Sequence, residues 1–274
     1  MKRQINALPA PTFRWLKMNG TMLEDTDLPQ RTDCMEIDAG EEQTVLLTGA
    51  AVQSFALAPR AKLNLVQILS DAGEHPAVQE IHVSCEKDAQ LHVFWLFTGG
   101  KALYPSCTVD LTGDGSSLEM DAAYVVRTDE TLDMNVAANH IGKNTCSRID
   151  VKGVLYGRAK KIFRGTIDLR RGCKGASGDE REEVLLMDDD VINQTIPLIL
   201  CAEEDVAGNH GASIGRMDEE VQFYLQSRGL SAQETEKILL EARLCSVIGK
   251  MPAQVRGYAM QAASLVPQEE DTDK

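Results

Sequence analysis

Apolar and polar positions alternate with a period of two over a long central part of the chain, from about residue 43 to 201. In "TLDMNVAA", Leu132, Met134 and Val136 alternate with Asp133 and Asn135. The stretches "TVLL", "NLVQIL", "EIHVSC", "QLHVFWLF", "SRIDVKGVL", "EVLLM" and "IPLILC" read as further short strands. Between strands stand turn signals such as "TGGK", "TGDGS", "IGKNT" and "RRGCKGASGDE". No convincing helical pattern interrupts this region, the spacing is irregular, and no exact repeat is visible. Many short strands without helices fit a sandwich, a barrel or a β-solenoid, and the pattern does not choose among them.

After His210 the period changes to 3.6. Asp218 is placed to cap a helix whose first turn carries Glu219 and Glu220, and Gly229 supplies its stop. Ser231 and Glu234 form a capping box for a second helix, striped by Ile238, Ala242 and Cys245. "MPAQVRGYAMQAASLV" predicts a third, opening at Pro252. Near the start, Thr12 to Gly20 reads as one short helix, followed by an acidic loop. The expected organisation is a lead-in over 1–42, a β body over 43–215, a helical unit over 216–266 and a disordered acidic tail over 267–274. A helical unit at the end of a β body either caps the body's open end or docks another protein.

Charge narrows the function. The chain of 274 residues carries a net charge of -14, which opposes nucleic acid or anionic membrane as main partner. No apolar run is long enough to span a membrane and no signal sequence is evident, so a cytoplasmic protein is expected. The seven cysteines include no C-x-x-C, and most read as buried small hydrophobes. Any metal site must therefore be assembled from distant strands or from two chains.

Nucleotide and hydrolase signatures are missing: "GDGSS", "GKNT" and "GASIG" lack a phosphate-loop frame, and there is no G-x-S-x-G. Asp188, Asp189 and Asp190 in "MDDDV" could serve a carbohydrate-active β-solenoid enzyme. A turn explains them more simply, and an aromatic content of 5% disfavours sugar stacking. His82 and His92 fall opposite their apolar neighbours, as exposed strand histidines or a cross-strand metal pair. His210 sits among small residues, with Cys201 upstream at the end of an apolar strand. Imidazole and thiolate suit iron or zinc; a structural hydrogen bond at the strand-to-helix joint is the alternative.

Three stretches, in order, resemble the SufB/SufD family, the scaffold proteins of SUF iron–sulfur cluster assembly. The first carries His140, Thr145 and Ser147, then Lys152-Gly153-Val154-Leu155, then Phe163, Gly165 and Ile167. The second is "VLLMDDDVINQTIPLI". The third has Glu204-Asp205-Val206, His210-Gly211-Ala212-Ser213 and Gly215, then Glu219-Glu220, Phe223-Tyr224-Leu225 and Ser227-Arg228-Gly229. The resemblance implies a right-handed parallel β-helix followed by a small helical domain. It implies a non-catalytic scaffold, SufD-like and short, without room for the family's N-terminal helical domain. It further implies docking of the SufC ATPase through Val221, Phe223, Tyr224, Leu225 and Arg228. Pairing with a SufB-like chain or a second copy would place a transient iron–sulfur cluster at the interface. His210 is then the leading metal ligand and Cys201 a weaker one. The SufB-type Cys and Glu positions hold Val191 and Gly211, and Glu180 and Glu182 stand where the family usually has Gln and Asn. A purely structural partner that binds no metal is the remaining alternative.

Overall fold

The structure is a computed structural model that describes residues 2–12, 18–24, 29–30, 32–70, 73 and 75–264. The central residues 13–17 of the short helix expected between Thr12 and Gly20, and the tail expected over 267–274, lie outside the described residues. β1 (Lys2–Ile5) and β2 (Thr21–Glu24) form an antiparallel pair. The body consists of β3 (Met35–Ile37), β4 (Glu42–Leu47), β5 (Ala51–Leu57), β6 (Lys62–Leu69), β7 (Ala77–Cys85), β8 (Gln90–Phe97) and β9 (Ala102–Leu111). It continues with β10 (Ser117–Val126), β11 (Thr131–His140), β12 (Cys146–Leu155), β13 (Lys160–Leu169), β14 (Ser177–Leu186), β15 (Ile192–Cys201) and β16 (Ala207–Arg216). Odd-numbered strands from β3 to β15 make one 7-stranded parallel sheet, and even-numbered strands from β4 to β16 make the other. Each coil therefore contributes one strand to each sheet, and the body is a parallel β-solenoid. The first coil opens at Met35, inside the stretch expected to be lead-in.

Because the strands stack in register, inward positions form columns that run through successive coils. One column reads Val45, Leu65, Val93, Met120, Ile149, Glu180, His210. It is apolar for five rungs and polar for the last two. The repeat is invisible as sequence because a column requires only matching shape and polarity, not matching residues. One corner of each coil is more uniform. Gly40, Arg60, Asp88, Gly115, Asn144 and Gly175 all turn through positive φ there. Each donates its N–H to a carbonyl of the next coil, on Pro59, Lys87, Asp114, Lys143, Lys174 and Asp205 respectively. The residue after the last five is small and buried: Ala61, Ala89, Ser116, Thr145 and Ala176.

Three helices follow, α1 (Glu219–Ser227), α2 (Ala232–Ile248) and α3 (Ala253–Ser264). Asp218 caps α1, and Ser231 with Glu234 closes a capping box on α2. The helices do not cap the solenoid's open end. Leu240, Leu244, Val247, Ile248, Met251 and Val255 pack on the outer face of the even-numbered sheet, against Val66, Ile68, Phe94, Leu96 and Val125. These strands are apolar on both faces, which is why they read as continuous hydrophobic runs. Lys250 Nζ adds an ion pair to the buried Asp121 at 2.5 Å. Among the described residues no helix is long and apolar enough to cross a membrane.

The N-terminal segment covers part of the opposite sheet. Asn6 Nδ2 donates to Asp133 Oδ1 at 2.9 Å, Thr21 Oγ1 also bonds Asp133, and Arg164 Nε donates to Met18 O at 2.7 Å. Arg164 pairs with Asp133 beneath this cover, and both are buried. Asp133 thus points outward, as its alternation with Leu132 and Met134 predicts, yet it is shielded from water.

Gly153 faces the ring of Tyr124 one coil away, and a Cβ there would lie 2.0 Å from it. Gly153→Ala should therefore destabilise the fold by about 1–3 kcal/mol. Urea unfolding measures this, and adding Tyr124→Leu should recover part of the loss.

Candidate functional site

Among the described residues no strand lies above the last coil. All ten residues of β16 are exposed along the backbone edge it presents. His210 stands on the inward column of this strand, directly over Glu180 of β14. Its Nδ1 lies 3.2 Å from Glu180 Oε1. The imidazole is partly open, with 23% of its side chain exposed, whereas the Glu180 side chain is 2% exposed.

Beneath His210 the interior is charged. Glu180 and Glu182 both point inward, in step with Val184, since alternate residues of a strand share a face. Lys161 enters from the facing sheet and pairs with Glu182. Its Nζ also donates to Asn193 Oδ1 and Thr195 Oγ1, each at 2.9 Å, and Thr195 Oγ1 donates to Glu182 Oε2 at 2.6 Å. Glu182 is thus fully engaged. Glu180 is not, because its buried Oε1 accepts no hydrogen bond from the described residues. Room for Glu180 comes from Gly165, where a Cβ would meet the carboxylate at 1.9 Å.

Burial and the neighbouring Glu182 push the Glu180 carboxyl up to about 8, against the pull of Lys161. Burial likewise lowers Lys161 from its ordinary value, opposed by Glu182. His140 is a different case. Its Nδ1 and Nε2 lie 2.8 and 2.9 Å from the Thr145 and Ser147 hydroxyls, and burial drives its pKa down to about 4. A neutral imidazole held by two hydroxyls at a corner is a structural element, which accounts for the spacing of His140, Thr145 and Ser147.

The structure does not gather the other residues singled out from sequence into this site. Cys201 ends β15 on the opposite sheet, exposed, with its thiol donating to Glu203 O at 3.1 Å. Val191 packs against the apolar core, and Gly211 is exposed on β16, so neither offers a ligand atom. His82 and His92 lie on different sheets and form no metal pair. His92 does meet Glu119 and Asp121 in a group of potential cation ligands. Arg148 and Lys250 already neutralise those carboxylates. Asp188 to Asp190 form an exposed turn: Asp188 accepts the Gly157 N–H at 2.5 Å and Asp189 pairs with Arg216. They are exposed, and Asp188 and Asp189 are engaged in these turn and surface contacts, so the carbohydrate-enzyme reading is not favoured. On α1, Val221, Phe223 and Tyr224 are exposed, Phe223 by 74%, Leu225 is half-buried, and Arg228 stacks over the Tyr224 ring at 5.0 Å.

Glu180 gives the fold a testable pH dependence. Between its unfolded value of 4.5 and its folded value of about 8, the folded chain holds a proton that the unfolded chain has released. Protonation therefore stabilises the fold, fully below 4.5, and this stability is lost as pH rises toward 8. Glu180→Gln, uncharged throughout, should be more stable than the parent, by a margin that grows across that window. His140 acts oppositely, weakening both proteins alike as pH falls from 6.5 to about 4. Urea unfolding against pH in chelator-treated buffer measures the difference, and a difference independent of pH contradicts the assignment.

Comparison with known proteins identifies the family. Residues 32–243 match the family model described as SUF system FeS cluster assembly, SufBD core domain. The chain is 29% identical over 159 residues to the iron–sulfur cluster assembly protein SufD of Bacillus subtilis, covering 58% of this chain and 36% of that protein. It is 28% identical over 162 residues to a SufBD family protein of Synechocystis, covering 59% of this chain and 33% of that protein. A SufBD family protein of Mycobacterium leprae is 25% identical over 211 residues, covering 74% of this chain and 54% of that protein. The chain thus spans about a third to a half of the length of these curated relatives. With most of its length matched by the core-domain model, the chain belongs to the SufBD family of iron–sulfur cluster assembly proteins.

Proposed function

We propose that this chain is a non-catalytic, cytoplasmic scaffold subunit that pairs through the open end of its solenoid and docks a SufC-type ATPase through α1. The iron–sulfur cluster is its cargo, handled at the paired ends near His210. The observation that carries the reading is the terminal rung. Edge strands are ordinarily blunted by charge, proline or a bulge. β16 carries none of these before its final Arg216, and it is regular over ten residues. Ile192, Ile199 and Ile214 are all exposed on this rung. A second scaffold chain, whether a SufB-like protein or another copy, would cover them and complete the ladder.

α1 supports the second contact. None of its residues is buried against the rest of the chain, although Phe223 and Tyr224 would gain most from burial. α2 links α1 to the even-numbered sheet, so movement of a docked ATPase would reach the strands that end at β16.

Both contacts can be separated by experiment. Light scattering should give the mass of a pair for the parent chain, alone or with a SufB-like partner, and of single chains for Ile199→Lys/Ile214→Lys. Gel filtration with the cognate ATPase should show co-elution. Phe223→Ala and Tyr224→Ala should weaken it by about tenfold or more without changing the fold, since both side chains are solvent-facing. Failure to co-elute, or variants that bind as the parent does, would exclude docking through α1.

A further inference from the structure

We propose that Glu180 and His210 together form a divalent-metal site, for iron(II) by their chemistry, built from two adjacent rungs. The inference rests on His210 acting as a metal ligand at the open rung and adds a second ligand from this chain. The argument is geometric. Nδ1 of His210 and Oε1 of Glu180 are 3.2 Å apart. An ion bonded to both at about 2.1 Å would subtend an angle of about 100° between them, within the range of tetrahedral and octahedral sites. Parallel register aligns the two residues as direct neighbours, so no loop has to move to bring them together.

The charge balance points the same way. The inner cluster holds two carboxylates, Glu180 and Glu182, against one ammonium, Lys161. Lys161 is spent on Glu182, Asn193 and Thr195. The acidic group left without a lysine partner is Glu180, whose Oε1 is buried and accepts no hydrogen bond from the described residues. A cation between Glu180 and His210 would take the place of its proton and engage that oxygen. Imidazole with carboxylate is a donor set for first-row divalent ions, iron(II) included. The open side of β16 leaves the ion's other positions free for water, or for sulfide and ligands from a paired chain. The carboxylate arrives from the rung below the histidine.

Cobalt(II) titration under anaerobic conditions tests this, followed by its visible d–d bands, with iron(II) competing for the same site. The purified parent chain should bind one cobalt(II) per chain. Glu180→Gln and His210→Ala should each weaken binding by about tenfold or more. Glu180→Gln conserves shape and removes the charge, and its urea unfolding reports separately that the fold survives. Parent-like binding by Glu180→Gln with loss in His210→Ala would overturn the paired site and leave His210 as a ligand. Parent-like binding in both variants, or no binding to the parent chain, would overturn the site and the His210 reading together.

Discussion

Parallel register between coils is the constraint on which everything else depends. Each strand bonds only to the strand one coil before and one coil after, so a column of side chains continues until the coils run out. That makes the body a one-dimensional stack in which every rung is covered by the next. A stack must also have a last rung, and nothing in its own geometry can satisfy that rung's backbone. Here the helices lie along the side and leave the end free. The location of this exposed backbone edge follows from the architecture before any particular residue is considered.

The interior changes chemistry toward that end. In the first coils the columns hold Leu, Val, Phe and Trp, and polar exceptions such as Gln67 and Gln79 bond to each other. In the last coils Lys161, Glu180 and Glu182 replace apolar residues at inward positions. Replacing these charges by apolar groups would cost little or even stabilise a core, so stability alone does not account for them. Under the proposed metal site, Glu180 gains beneath His210 a use that the apolar residues of the column lack.

Much of this was legible in the residues. Alternation located most of the strands but not β3, β5 or β16, whose Gly-rich sequence around His210 carries no apolar alternation and read as a joint; the later change of period located the helices, including the caps at Asp218 and Ser231. The choice of a solenoid over a sandwich or barrel rested on resemblance, because register between coils leaves no signature in a single strand. The inward placement of Glu180 and Glu182 was not anticipated, because a strand was expected only over "EVLLM", although their parity with Val184 in "GDEREEVLL" carries the signal. Lys161, the partner of Glu182, was not foreseeable, since the contact runs between two sheets and joins residues 21 apart in sequence. The same holds for the helices: an amphipathic stripe says that a helix packs, not which face of which sheet receives it. Thus the flank position of α2 and α3 emerged only from the even-numbered strands being apolar on both sides.

The attachment of the first residues has a mechanical consequence. Asn6 and Thr21 bond Asp133, and Arg164 bonds Met18, across separations of 127 and 146 residues for Asn6 and Met18. The beginning of the chain is therefore stitched to β11 and β13, past the coils that follow it in sequence. Force applied at the N-terminus would load the later coils in shear instead of peeling the first coil away. The same stitch cannot form until β11 and β13 exist, so the leading segment is among the last parts to settle during folding.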